Sequence, residues 1–306
     1  MKKIKNIFLA LCAALLVFCG CSAENGSGDW LIKIDGKSVS RMEYLIYLKE
    51  TVQNYELIGG DDIWDTDFDG RTAEDVAKES AFNSLVAVKI AIEKADKYSA
   101  SLSETDESRA EMEALQMSQN AGEEKDSEFY KTALNVVKEK YLYNYVKENL
   151  TKSIKIASAQ TDTFCNENRD KYRRNLEYIQ GKAYYFDTTE EAQNYAQTGE
   201  GTENAVYSED LSGTWQEIKE KFSMDENTDK ENILGPFETE EGYAIINIEN
   251  TKAADEKTVE ETMRSDYESS VKSQYFADEA NKWLQNADIK TNEKMWNEIK
   301  IEDAKG

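Results

Sequence analysis

Three places in this 306-residue chain hold residue types that do chemistry at close spacing. In Asp65-Thr66-Asp67-Phe68-Asp69-Gly70, three carboxylates stand on alternate residues ahead of a glycine. Hard oxygen donors at that spacing open a calcium-binding loop, which ordinarily closes with a bidentate Glu at the twelfth place. Val76 occupies that place, so Asp61, Asp62 and Asp75 would have to supply the remaining oxygens. The competing reading is a solvated acidic loop between two helices, with Gly70 supplying the turn. A second place is Cys21, which follows Gly20 at the end of an apolar run and whose thiol can take a lipid. The third is Cys165, which has no imidazole to deprotonate it and is read as a buried helix residue rather than a nucleophile. The chain contains no histidine at all. That excludes His-based triads, His metal sites and imidazole general-base chemistry together. Paired acids such as Glu190-Glu191 and Glu260-Glu261 read as solvated helix faces.

The residues before Cys21 explain how it would be modified. Lys2, Lys3 and Lys5 form a basic head, Ile7 to Phe18 an apolar run, and Cys19-Gly20-Cys21-Ser22 follows. A basic head, an apolar core of about a dozen residues and a small residue before the cut define a secretory signal. The run is shorter than the roughly 20 residues a membrane-spanning helix needs. Gly20-Cys21 resembles a lipobox, which implies diacylglycerol on Cys21 and cleavage that leaves it as the first mature residue. Residues 1–20 are thus read as the signal, and 21–29, rich in Gly, Ser and acid, as a flexible tether. The chain is expected at the cell membrane, lipid-anchored and facing the extracytoplasmic side. Ordinary secretion with cleavage nearby is the alternative.

Charge narrows the partners. The chain carries 37 basic and 61 acidic residues, and loss of the three signal lysines leaves a net charge of −27. Such a surface repels nucleic acid and anionic lipid, and favours basic clients or divalent cations. With 17 Tyr and 5 Trp, the chain has the aromatic content of folded domains despite its low mean hydropathy. Cys12 and Cys19 leave with the signal and Cys21 is acylated, so Cys165 has no partner and no disulfide framework is expected.

The elements that must position these residues are mostly helical. Trp30 to Val39 alternates apolar and polar residues around an Asp35-Gly36 turn, as a short strand or hairpin does. Ser40 with Glu43 caps a helix whose inward face is Leu45, Leu48, Val52 and Tyr55, ended by Gly59-Gly60. Further helices are predicted from Thr72 to about Tyr98, Ser103 to Asn120, Ser127 to about Leu150 and Thr161 to Tyr172. In the fourth, Phe129, Leu134, Val137, Tyr141 and Tyr145 face inward. The texture then changes to a small α+β unit, with strands at Lys182 to Phe186 and Tyr243 to Ile248. Short helices are predicted at Thr188 to Gln197 and from Trp215 to Phe222, and Ala205 to Trp215 is read as a loop. One long helix carries Val259, Met263, Tyr267, Val271, Phe276, Ala280 and Trp283 on its inward stripe. The end, Asp288 to Ile301, is strand-like.

Several segments together resemble a known family. Ile34-Asp35-Gly36-Lys37-Ser38-Val39-Ser40 through Tyr44 is similar to the strand-turn-helix that opens the chaperone domain of PrsA/SurA-like foldase lipoproteins. Ile233-Leu234-Gly235-Pro236-Phe237-Glu238-Thr239 through Gly242-Tyr243-Ala244-Ile245-Ile246 resembles the closing strands of their parvulin-type peptidyl-prolyl isomerase domain. Ala183-Tyr184-Tyr185-Phe186 before Thr189-Glu190-Glu191-Ala192 looks like its opening strand and helix, and Phe222-Ser223-Met224 like the short helix before the closing strands. The resemblance implies an α+β fold. A mostly helical SurA-like chaperone domain (30–172) would be completed by a C-terminal helix and strand (251–306), with a small parvulin-like domain (173–250) inserted. It also exposes departures. The family's two histidines fall where this chain has Ala183 and Ala244, and the segment before Trp215 is shortened. Tyr184, Phe186, Phe222, Met224, Phe237 and Tyr243 remain as a candidate peptide cleft, or as the ordinary core of a small domain. The implied function is a foldase-type chaperone for unfolded or nascent exported proteins, with a degenerate isomerase domain. An active isomerase with a rearranged site and a surface ligand-binding or adhesion lipoprotein are the alternatives.

Overall fold

The computed structural model describes Ser22–Ala23 and residues 30–305. The signal at 1–20, the acylation position Cys21 and residues 24–29 of the tether lie outside the described residues. The chain is α+β and divides into two units, one running to Ile154 and resuming at Lys272, the other Lys155–Val271. The joins read from sequence, at 172/173 and 250/251, fall inside a helix and a strand of the second unit.

In the first unit, strands β1 (Ser22–Ala23), β2 (Ile32–Ile34) and β3 (Lys37–Val39) precede four helices. These are α1 (Arg41–Gly59), α2 (Ala73–Ile92), α3 (Glu104–Asn120) and α4 (Glu128–Thr151). β2 and β3 form a hairpin whose central residues, Asp35 and Gly36, have φ of 48° and 81°. Positive φ at both centres is the geometry that matches the twist of two-residue hairpins, and Asp-Gly supplies it. Each helix is started by a hydroxyl: Ser40, Thr72, Ser103 and Ser127 each accept from the backbone N–H three residues on. Each such cap stabilises its helix by about 1 kcal/mol.

The core of this unit gathers Leu31, Ile32, Tyr44, Leu48, Leu85 and Val136, all essentially without exposed surface. α4 is rotated from the expected stripe. Tyr130, Ala133, Val136, Val137, Val146 and Leu150 are its buried residues, while Phe129, Leu134, Tyr141 and Tyr145 are only partly covered. The tyrosine hydroxyls explain the rotation: Tyr141 donates to Glu113 and Tyr145 to Asp106 at 2.9 Å, so both rings lean toward a polar seam with α3.

The second unit contains α5 (Ser158–Asn175), β4 (Tyr178–Phe186), α6 (Thr189–Thr198), β5 (Tyr207–Thr214) and α7 (Trp215–Lys221). β6 (Ile233–Thr239), β7 (Gly242–Lys252) and the start of α8 (Glu256–Gln285) complete it. The four strands form one antiparallel sheet in the order β5-β4-β7-β6. Ala205 to Trp215 is therefore a strand for most of its length, not a loop. Its polar sequence, Tyr-Ser-Glu-Asp-Leu-Ser-Gly-Thr, fits an edge strand with one solvated side. Gly181 stands opposite a bulge in β7, where a Cβ would come within 2.1 Å of the Asn247 carbonyl oxygen. α5 packs on the first half of α8 through Cys165, Val259 and Met263, which is why both belong to this unit. Above them Arg169 binds Glu260 at 2.6 Å and Tyr172 donates to Asp266 at 2.8 Å.

Back in the first unit, the strand-like end resolves into β8 (Ile289–Thr291) and α9 (Glu293–Asn297), followed by a 3-10 turn at Ile301–Ala304. Asn292 ends the strand by accepting from the Met295 N–H and so starting a helix. β8 lies antiparallel to β2 and parallel to β1. No described helix is long and apolar enough to cross a membrane.

Candidate functional site

The sheet of the second unit separates the residues read as one cleft. Successive residues of a strand point to opposite faces. Ala183 and Tyr185 of β4 join Ala244 and Ile246 of β7 in one apolar cluster with Leu211, Trp215 and Phe222. Met224 and Phe237 pack against that cluster, and the rings of Phe222 and Phe237 lie 6.0 Å apart. Phe186 and Ile245 belong to a second cluster with Ala192 and Tyr195 of α6, against which Tyr184 and Tyr243 pack. The six candidate residues thus fall into two sets of three, Phe222, Met224 and Phe237 in one and Tyr184, Phe186 and Tyr243 in the other. They do not form a single cleft.

The first face carries the features that matter for isomerase-like chemistry. Ala183 and Ala244 are both fully buried there. Ala183 is paired across the ladder with Glu209 of β5, and Ala244 with Tyr185 of β4. The Tyr185 hydroxyl donates to the Glu209 carboxylate, which also binds Lys221 at 2.8 Å. Burial, then the bond to Glu209, pushes the Tyr185 phenol well above its usual range. Burial works to raise the Glu209 carboxyl, but Lys221 and the Tyr185 hydroxyl outweigh it and hold it below the usual carboxylate range. The result is a Tyr-carboxylate-Lys chain at neutral pH, with the Tyr185 hydroxyl protonated and engaged in its hydrogen bond to the Glu209 carboxylate. Trp215, fully buried in the same cluster, has an indole N–H with no hydrogen-bond partner.

Sequence reasoning missed Tyr185, Glu209 and Lys221. The period of two in β4 held part of the signal, since Tyr185 shares the parity of Ala183 and Tyr184 does not. Glu209 carries no signal, because the polar sequence of β5 has the composition of a loop.

Two carboxylates around the aspartate loop are engaged within the segment itself. Asp67 accepts from the Gly70 N–H at 2.9 Å, and Thr72 donates to Asp75 at 2.8 Å while capping α2. Gly70 has φ of 88° and supplies the turn. Among the described residues, no three His, Cys, Asp or Glu side chains come together as a metal site. Cys165 is a free thiol, 1% exposed, within a helix.

No family model matches the chain. It is similar to the foldase protein PrsA of Caldanaerobacter subterraneus subsp. tengcongensis, 23% identical over 176 residues, 56% of this chain and 54% of that one. The chain thus spans about half the length of this curated relative. Among solved structures, one from the pair of SurA-like chaperones PEB4 and Cj1289 of Campylobacter jejuni is covered over 99% of its length by 86% of this chain. Its identity is 11% and its TM-score 0.39. The PrsA peptidylprolyl isomerase of Bacillus anthracis is covered over 96% by 67% of this chain, at 13% identity and a TM-score of 0.30. The chain therefore resembles a PrsA foldase over 176 residues, beyond the short motifs.

Proposed function

We propose that this protein is an extracytoplasmic foldase-type chaperone, held at the membrane by a lipid on Cys21, that binds unfolded exported proteins. The observation that carries the reading is its similarity to a PrsA foldase over 176 residues. The small unit acts in it as a binding or spacing module. Prolyl isomerisation has a barrier of about 18–20 kcal/mol, and lowering it takes polar groups free to act on the twisted amide. Here the two histidine positions are buried alanines, and the nearest phenol is committed to Glu209.

One arrangement favours a second reading, an isomerase with a rearranged site. Glu209 and Tyr185 are the cross-strand partners of Ala183 and Ala244, so one member of a polar pair lies beside each of the two histidine positions. Chaperone function is tested by the aggregation of a chemically unfolded client with and without an equimolar amount of the mature chain. Delayed aggregation supports the reading, and unchanged kinetics with several clients would sink it.

A further inference from the structure

In the sheet of the first unit, β8 lies between β1 and β2, and β3 forms the far edge. Ser38 pairs with Lys33, Lys33 with Lys290, and Lys290 with Ser22. Four strands thus contribute one row across the sheet, about 14 Å long at about 4.8 Å between neighbours. Successive residues of a strand point to opposite faces. Ile32, Ile34, Val39 and Ile289 are buried in the core of the unit. Lys33, Ser38 and Lys290 have the other parity and face away from it, the lysines half-buried and Ser38 exposed.

The row ends at Ser22, and Cys21 is the next residue toward the N-terminus. Consecutive Cα atoms are about 3.8 Å apart. A lipid on the Cys21 thiol therefore holds the bilayer one residue from this sheet, with no length of chain to separate the two.

The charges suit that position. Residues 32–39 and 288–291 hold Lys33, Lys37 and Lys290 against Asp35 and Asp288, on a chain with 61 acidic and 37 basic residues. Asp35 accepts from the Asp288 N–H at 2.8 Å, Asp288 lies 3.7 Å from Lys290, and Lys37 reaches Glu93 at 3.0 Å. Lys33 stands 4.2 Å over the Trp30 ring. Lys33 and Lys290 are direct cross-strand partners, and like charges opposite one another destabilise a ladder. Phosphate groups laid against the row relieve that repulsion. Lysine stems lie along the sheet while their ammonium groups reach the headgroups.

We infer that the outward face of this sheet rests on the anionic headgroups of the membrane that holds the Cys21 lipid, with Lys33 and Lys290 on the phosphates. The acidic excess elsewhere on the chain is repelled by the same headgroups, which favours this orientation of the first unit. The inference rests on the lipid anchor for its occupant and on the sheet register for its place.

The test uses the natively lipidated mature chain in vesicles of phosphatidylglycerol and phosphatidylcholine that carry a headgroup quencher. A fluorophore is attached at Ser38→Cys or, as the distant site, at Lys125→Cys, since Cys21 is blocked by its lipid and Cys165 is buried. Lys125 precedes α4, a helix of about 36 Å. Near the other end of α4, Asn149 donates to the Tyr98 carbonyl at 3.1 Å, in the segment that follows the Glu93 met by Lys37. The label at Ser38 is expected to lose most of its fluorescence, and the label at Lys125 to keep it. Lys33→Glu combined with Lys290→Glu is expected to restore the Ser38 signal, with the chain still on the vesicles and its circular dichroism unchanged. Equal quenching at both sites, no quenching at Ser38, or quenching there that survives the double charge reversal overturns the inference. A Ser38 signal that follows protein density rather than quencher marks contact between copies and overturns it as well. Should the double variant unfold, the two labels in the native background still decide. No association with vesicles at all removes the anchor and the inference together, whereas association with equal quenching removes the inference alone.

Discussion

Glu209 stands directly across the β4–β5 ladder from Ala183, and its carboxylate accepts a hydrogen bond from Tyr185, itself paired with Ala244. The two positions where the resemblance calls for histidine are therefore bordered by one hydrogen-bonded pair. Because Lys221 binds the same carboxylate, the three side chains form a coupled chain. Tyr185→Phe removes one bond to a charged group and is expected to cost about 1.5–3 kcal/mol. In a Glu209→Gln background the same change should cost clearly less. A double-mutant cycle on urea midpoints measures the difference, and additive losses would show that the pair is uncoupled.

The same carboxylate sets a pH dependence. Glu209 has a lower pKa folded than unfolded, so its contribution is fully present above the unfolded value of about 4.3. It is lost as pH falls through the folded value. Between pH 7 and pH 3 the native chain should lose more stability than Glu209→Gln, which has no carboxyl to protonate. Chemical denaturation at the two pH values compares them, and parallel losses would contradict the assignment.

Gly181 has a steric role opposite the β7 bulge. A methyl group there would lie 2.1 Å from a backbone carbonyl oxygen, which no rotamer can relieve. Gly181→Ala is therefore expected to cost about 1–3 kcal/mol, the range for overpacking. Asp210→Ala on the exposed edge strand should stay within about 0.5 kcal/mol. Thermal unfolding of both variants checks the contrast.

The helical caps were legible because each is a hydroxyl residue placed directly before an amphipathic run. The hairpin was legible because Asp-Gly fits positive φ. β5 was not, since Leu211 is the single large aliphatic residue in Tyr207–Thr214 and an edge strand needs no apolar alternation. The partial exposure of Leu45 was hidden for a related reason. Leu45 has the spacing of a core residue, and only the ends of α3 and α4 and the terminal turn decide that it is half-exposed. The candidate cleft spans two faces of a sheet because its six residues share a large apolar type but not strand parity.

Membrane attachment depends on a single thiol in the reading from sequence. Cys21→Ser should abolish incorporation of labelled fatty acid and release the chain from the membrane fraction, while Cys165, 1% exposed, should take no label in either form. Metabolic labelling followed by fractionation measures both. Persisting label in Cys21→Ser would place the acylation elsewhere.

Isomerase activity separates the two readings of the small unit. An active site for proline needs an apolar seat together with polar groups that strengthen their hold as the amide twists. The seat is partly present, since Phe222, Met224 and Phe237 gather near one another. The polar side is closed: Tyr185 is 4% exposed and its hydroxyl donates to Glu209, and both alanines are fully buried. The mature chain should therefore not accelerate cis/trans exchange in a protease-coupled assay on proline peptides. Glu209→Gln, which loosens the hold on Tyr185, should not confer activity either, because the phenol remains buried. Acceleration well above background in the native chain, lost in Tyr185→Phe and in Phe237→Ala, would instead make this face a rearranged catalytic site and the small unit an enzyme.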